Sequence, residues 1–225
     1  MNLRTAAITS GIALIIMALV AGFSYGYVHS SLVVDGDIST TYQNITSSIM
    51  LFKAEILGWI VILILDVIVA WSFYIFLKPV NQALALLSSW LRLTYAAILG
   101  IAILNLFFVL LLTTNVSVHD QLQANVTLYL EAFEMIWSAG LIVFGVHLLV
   151  VGWIAFQSNS IPKIFSVLLV IAAIGYIVIH LGKALLIEQD IITTMEFIFN
   201  IPMIVGELGF GLWLLFKGGK VTKKS

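Results

Sequence analysis

Six long apolar stretches constrain this chain more than any other feature. They run approximately over Ala7–Val28, Lys53–Leu77, Leu91–Thr113, Ala132–Phe156, Ile164–Gly182 and Phe197–Phe216. Each is close to the ~20 residues that a helix needs to cross a hydrocarbon core. Strands of a membrane barrel would alternate apolar and polar residues over about ten positions, and these runs have no such period. Lipid offers no water to a spanning backbone, so each segment must satisfy its own amides. The fold class that follows is all-α: a polytopic membrane bundle of six transmembrane helices, read as a single domain over residues 1–225. Composition points the same way. Hydrophobic residues make up 62% of the chain and charged residues only 9%, against roughly 25% charged in soluble domains. Mean hydropathy is +1.15.

Charge in the connecting segments sets the orientation. Asp35 and Asp37 lie between the first two spans, Asp120 and Glu131 between the third and fourth, and Glu188 and Asp190 between the fifth and sixth. Arg4 precedes the first span, Lys78 and Arg92 flank the second connection, and Lys163 occupies the fourth. Lys217, Lys220, Lys223 and Lys224 follow the sixth. Eight of the ten basic residues therefore fall on alternating segments that share one side. The positive-inside rule makes that side cytoplasmic and puts both termini there. Lys78-Pro79 and Pro162-Lys163 read as short turns, where proline's missing amide is tolerated. The expected location is a cell membrane, the plasma membrane of a prokaryote.

The first apolar stretch follows Arg4 in the order of a secretory signal. It is longer than a signal's hydrophobic region and has no small-x-small cleavage site, so it is read as an uncleaved helix. Asn44, Asn115 and Asn125 begin formal glycosylation sequons. Gly22 with Gly26, and Gly145 with Gly152, have small-residue spacings that permit close helix approach. They serve either packing within one bundle or a homo-oligomer contact.

Four ionisable residues interrupt the apolar spans: Asp66, Arg92, His147 and Glu207. At ~1.5 Å per residue, Asp66 is about 18 Å along its helix from Lys78, and Glu207 about 15 Å from Lys217. His147 is about 15 Å from Gln157, and Arg92 is roughly 16 Å into a helix that starts just after Asn81. Four helices thus deliver polar groups to similar depths. If the third helix instead begins near Trp90, the guanidinium snorkels to the surface. Tyr95 lies one turn from Arg92 and adds a hydroxyl. An isolated charge in the membrane costs several kcal/mol, so such groups are paired, protonated, ion-bound or hydrated. One arrangement pairs Asp66 with Arg92 and holds Glu207 by His147, serving helix registration alone. The other makes the same layer a ligand- or proton-binding site. Glu55 shares a helix face with Asp66, and Glu196 with Glu207, eleven residues apart in each case. These outer carboxylates are either steps on a hydrated path or ordinary solvated helix ends.

Much chemistry is excluded. With no cysteine there is no disulfide, thiolate nucleophile or Cys-based metal site. A net charge of −1 gives no case for nucleic acid. His29, His119, His147 and His180 leave histidine-bound haem open, but no HExxH or paired-histidine helix specifies a metal. His180, Tyr176, Glu131 and Glu134 are the residues from which an outer metal or proton site would be built. Cofactor, metal and catalytic residues are otherwise unspecified. The aromatics read as interfacial anchors and packing, and Gly218-Gly219 releases the last helix into its tail.

Three strings carry a family resemblance: LDVIVAWSFYIFLKPVNQALALLSSWLRLTYAAILG, GLIVFGVHLLVVGWIAFQSNSIPKIFSVLLVIAAIGY and GELGFGLWLLFKGG. They resemble domain-of-unknown-function family 4386, small multi-pass membrane proteins of bacteria and archaea. The pattern falls on Asp66, Tyr74, Lys78, Pro79, Arg92 and Tyr95, then on Gly145, His147, Gly152, Pro162 and Gly175. It ends on Glu207, Trp213, Lys217 and Gly218. Near Ser166 the sequence lacks a glycine that the pattern leads one to expect. The resemblance implies the architecture and brings no reaction with it.

Three functions stay open at this level. The leading one is a membrane protein that binds a small molecule, ion or lipid at Asp66, Arg92, Tyr95, His147 and Glu207, as a transporter or sensor. The second is an intramembrane enzyme on a lipid or hydrophobic substrate, with His147 as base and Glu207 as its partner. The third is a structural or accessory protein whose buried charges fix packing.

Overall fold

The structure, a computed structural model, is all-α and describes residues 1–114, 122–185 and 187–219. Asn115, His119, Asp120, Lys220, Lys223 and Lys224, invoked above, lie outside the described residues. Helix α1 (Leu3–Ala21) passes into a π-helical stretch (Gly22–His29) and a final turn (Ser30–Leu32). Then come α2 (Ile38–Ser47), α3 (Ile49–Leu77), α4 (Gln82–Thr114), α5 (Leu122–Gln157), α6 (Lys163–Ala184) and α7 (Gln189–Phe216). Among the described residues six segments are long and apolar enough to cross a membrane, and only the ten-residue α2 is not.

Burial runs opposite to that of a water-soluble protein. Asp66, Glu55 and His147 are 0% exposed and Arg92 1%, while Phe197 is 85%, Met135 72% and Ile201 71% exposed. So much outward apolar surface is compatible with lipid as solvent and with little else. Trp71, Trp90 and Trp153 also face outward.

Helix ends are closed locally. Asn81 caps α4, its side-chain oxygen accepting from Leu84 N–H at 3.1 Å. The helix therefore starts ten residues before Arg92, and the guanidinium lies inside the bundle rather than snorkelling. Arg92 thus drops out of the cytoplasmic-loop tally, leaving seven of the ten basic residues on that side. Lys163 donates to the carbonyls of Phe156 and Ser158 beyond the end of α5. Arg4 donates to Leu214 O (3.2 Å), Leu215 O (2.7 Å) and Gly218 O (2.8 Å), covering the last carbonyls of α7. Gly219 turns the chain at φ 67°, and a Cβ there would lie 2.7 Å from Leu3 O, so both conformation and space require glycine. Asp37 caps α2 through Thr40 Oγ1 (2.6 Å) and Thr40 N (2.9 Å), donors that hold its carboxyl below the usual aspartate range.

The chain forms two compact units. The first comprises Met1–Ile16, Leu65–Ala96 and Ser138–Ser225. Small residues let its helices approach: a Cβ on Gly11 would meet Gly211 O and Leu215 N of α7 at 2.7 Å. Gly145 lies against Ala173 O and Gly152 against Ser166 O of α6, so both glycines are used within the chain. Ser166, near the place where the family pattern leads one to expect glycine, is buried, and its backbone oxygen is 3.2 Å from where a Cβ on Gly152 would lie. The second unit comprises Met17–Ile64 and Ala97–Trp137. Its π-helical stretch packs on α3, where Ser24 Oγ would be 1.9 Å from a Cβ on Gly58. Around Gly22 and Gly26 there is open space.

Candidate functional site

Within the first unit the polar groups foreseen at similar depths form one buried network. Asp66 of α3 meets Arg92 of α4, with Oδ1 2.7 Å from Nη2. That is a direct charge contact rather than an aligned hydrogen bond, and Asp66 Oδ2 has no hydrogen-bond partner among the described residues. Arg92 Nη1 lies 3.2 Å from His147 Nε2 on α5. A guanidinium only donates, so Nε2 is the accepting nitrogen. The proton of His147 then sits on Nδ1, 2.8 Å from the Ser88 carbonyl and 3.2 Å from the Ser88 hydroxyl. Partners alone thus assign His147 as neutral, in a single tautomer. Phe73 and Phe144 cover the guanidinium, their ring centres 5.8 and 5.3 Å from Cζ. Tyr95, 6% exposed, closes the wall with its ring 5.0 Å from Phe144.

Glu207 on α7 is half-buried beside this network, and its partner is not histidine. Tyr176 of α6 donates its hydroxyl to Glu207 Oε1 at 2.7 Å. The pairing of His147 with Glu207 considered from sequence is therefore not formed: both imidazole nitrogens are taken by Arg92 and Ser88. The sequence groups Tyr176 with His180 and carries no signal of its place beside Glu207. Arg92 and Glu207 both line a small space of about 10 Å³, walled by Leu14, Phe73, Leu148 and Phe210. A volume of that order holds about one water. A much larger groove, about 620 Å³, is bounded by Trp153, Phe156, Val167 and Val170 of α5 and α6. Its lining carries no charged residue, so it is a lipid-facing feature separate from the polar network.

The residues from which an outer metal or proton site would be built are not gathered into one. His180 Nδ1 contacts Ser138 Oγ at 2.8 Å, and Glu131 is exposed. No group of three or more His, Asp or Glu among the described residues is arranged to hold a metal. Glu196 is half-exposed and paired with Lys183 at 2.7 Å, a contact worth little. Glu55 is not a solvated helix end: it is fully buried, and His29 is its partner at 2.7 Å.

A family model described as Domain of unknown function (DUF4386) matches residues 9–218. The chain belongs to this family. A relative from Archaeoglobus fulgidus, described as an uncharacterized protein, is 31% identical over 171 residues, covering 75% of this chain and 86% of its own length. No solved structure matches. Membership in DUF4386 agrees with the multi-pass architecture and assigns no chemistry, so the reading of the site rests on its geometry.

Proposed function

We propose that this DUF4386 protein is an ion-binding transporter or sensor of a prokaryotic plasma membrane, taking a proton or small monovalent cation at Asp66, Arg92, Tyr95, His147 and Glu207. One observation carries the reading: a charge count. Asp66 and Glu207 supply two carboxylates, Arg92 supplies one permanent positive charge, and His147 is held neutral by its partners. With both carboxylates ionised the group is one positive charge short, Asp66 being fully buried and Glu207 half-buried. A bare charge at membrane depth costs several kcal/mol, so one proton or cation completes the site. The water-sized space between Arg92 and Glu207 supports a small occupant in this conformation. The archaeal relative supports a prokaryotic setting. An enzyme that uses His147 as base with Glu207 as partner has less support, because His147 has no accepting nitrogen left.

The test is a difference titration of purified protein in lipid nanodiscs, wild type against Glu207→Gln and Asp66→Asn. The expected result is loss of one titrating or cation-binding equivalent per chain in Glu207→Gln. Proteoliposomes carrying either variant should also lose pH-driven flux. Superimposable titrations for folded wild type and Glu207→Gln would leave a purely structural network and overturn the proposal.

A further inference from the structure

The second unit holds a polar cluster that the proposed site does not use. The π-helical stretch carries Tyr25 and His29, with stacked rings 5.2 Å apart. His29, 6% exposed, lies between two carboxylates. Its Nδ1 is 2.7 Å from Glu55 Oε1 on α3, and its Nε2 is 3.2 Å from Glu134 Oε1 on α5. Tyr25 donates to Glu134 at 3.1 Å, and Trp59 Nε1 to Glu55 at 3.4 Å. Trp59, Phe133 and Trp137 seal the cluster, with ring centres 4.9–6.0 Å apart. The two carboxylates differ in access: the Glu134 side chain is 44% exposed, that of Glu55 0%. Glu55 Oε2 is buried with no hydrogen-bond partner among the described residues.

A neutral imidazole has one donating and one accepting nitrogen, and an ionised carboxylate only accepts. Two ionised carboxylates facing both nitrogens therefore require an imidazolium, and a neutral ring requires one protonated carboxyl. Glu134, His29 and Glu55 thus share protons as a unit. Lys53 and Glu131 on the two packed helices are exposed, and residues 97–114 of α4 carry no ionisable group.

From this geometry we infer that Glu134, His29 and Glu55 form a proton relay that connects a half-exposed carboxylate to a fully buried one. A proton on Glu134 Oε1 passes to His29 Nε2, leaving Glu134 ionised and the ring positively charged. The Nδ1 proton then passes to Glu55 Oε1, which becomes a neutral acid. The ring is left neutral in its other tautomer, and back-transfer or ring reversal resets it. One proton is gained by Glu55 for each one lost by Glu134. Tyr25 is a positioning residue that holds Glu134 toward the ring. The indole of Trp59 does the same for Glu55. The π-helical winding suits this role, since π segments inside α-helices are uncommon and concentrate at functional sites.

The experiment is infrared difference spectroscopy on the full chain in nanodiscs after rapid transfer into D2O, following exchange at the Glu55 carboxyl. That band is identified by its loss in Glu55→Gln. The relay predicts that Glu134→Gln and His29→Phe each slow the exchange by about a hundredfold, the scale of a positioned acid–base group. Tyr25→Phe should slow it less. Glu134→Gln changes a half-exposed position and retains an amide for the Tyr25 bond, so it is the variant to read, with folding checked by its melt, if His29→Phe misfolds. Exchange as fast in folded Glu134→Gln as in wild type would overturn the relay.

Discussion

Two buried charge clusters in one chain solve the same electrostatic problem with different cations. In the first unit the cation is Arg92, a guanidinium that only donates. It is joined to Asp66 at 2.7 Å and to His147 at 3.2 Å. In the second unit the cation is His29, which is charged only when protonated and is held by carboxylates on both sides. A guanidinium beside Asp66 leaves Glu207, on the proposed reading, as the carboxylate that takes the variable proton. A titratable cation makes the whole triad variable. The first cluster is suited to holding charge in place, and the second to moving it.

The sharpest break between the clusters should come from removing the permanent cation. Arg92→Leu leaves Asp66 buried without its partner and should cost about 3–5 kcal/mol, read as loss of thermal stability in detergent. The double variant Asp66→Leu/Arg92→Leu should recover most of that. Equal instability of the single and double variants would show that the pair does not carry the effect.

Backbone contact tests the packing around each cluster. Gly11→Ala in the first unit drives a methyl into the backbone of Gly211 and Leu215 and should cost roughly 1–3 kcal/mol, the range for overpacking. Gly58→Ala in the second unit meets the Ser24 hydroxyl, which can turn aside, so its loss should be the smaller in parallel melting experiments. The reverse order would mean that the second unit is the more rigid.

Two tyrosine deletions compare the carboxylates directly. Tyr176→Phe removes the donor from Glu207, a half-buried acceptor, and should cost about 1 kcal/mol. Tyr25→Phe takes a donor from Glu134, which water reaches, so its effect on the melting midpoint should be the lesser. Similar losses in both would mean that water does not replace the lost bond at Glu134.

The smallest effect lies outside both clusters, at Asp37. Its carboxyl is held low by the Thr40 hydroxyl and amide. The stabilisation it gives α2 is therefore complete above the ordinary aspartate range and lost as pH falls through the lowered value. The protection of the Thr40 amide, its exchange rate relative to the intrinsic base-catalysed rate, should fall on acidification and already be low in Asp37→Ala. An unchanged rate in that variant would remove the cap from the account of α2.

Parts of the site were legible because helical rise converts sequence distance to depth. Counting residues from a loop places Asp66, His147 and Glu207 well inside a span, whereas the depth of Arg92 hangs on where its helix starts, which the Asn81 cap decides. Their partners could not be counted in that way. Tyr176 was assigned to another group, and His147 was matched to Glu207 instead of Arg92. Nothing in the order of residues states how far each helix is rotated about its axis. His29 was missed because it ends an apolar run that passes into π-helical winding, which shifts side chains out of the 3.6-residue phase. A histidine at the end of one greasy run and an acid near the start of the next, His29 and Glu55, was the available signal.

The sequence by itself determined the solvent of this protein and the residues that solvent would penalise. Long apolar runs with sparse charge admit only spanning helices, and each ionisable group within them needs a partner. Tertiary structure decided which partner each one took. Glycines remote in the chain, such as Gly145 against Ala173 and Gly206 against Leu168, set how closely helices approach and which faces meet. Electrostatic pairing acts over a few ångströms, so only those contacts could choose Tyr176 for Glu207 and His29 for Glu55.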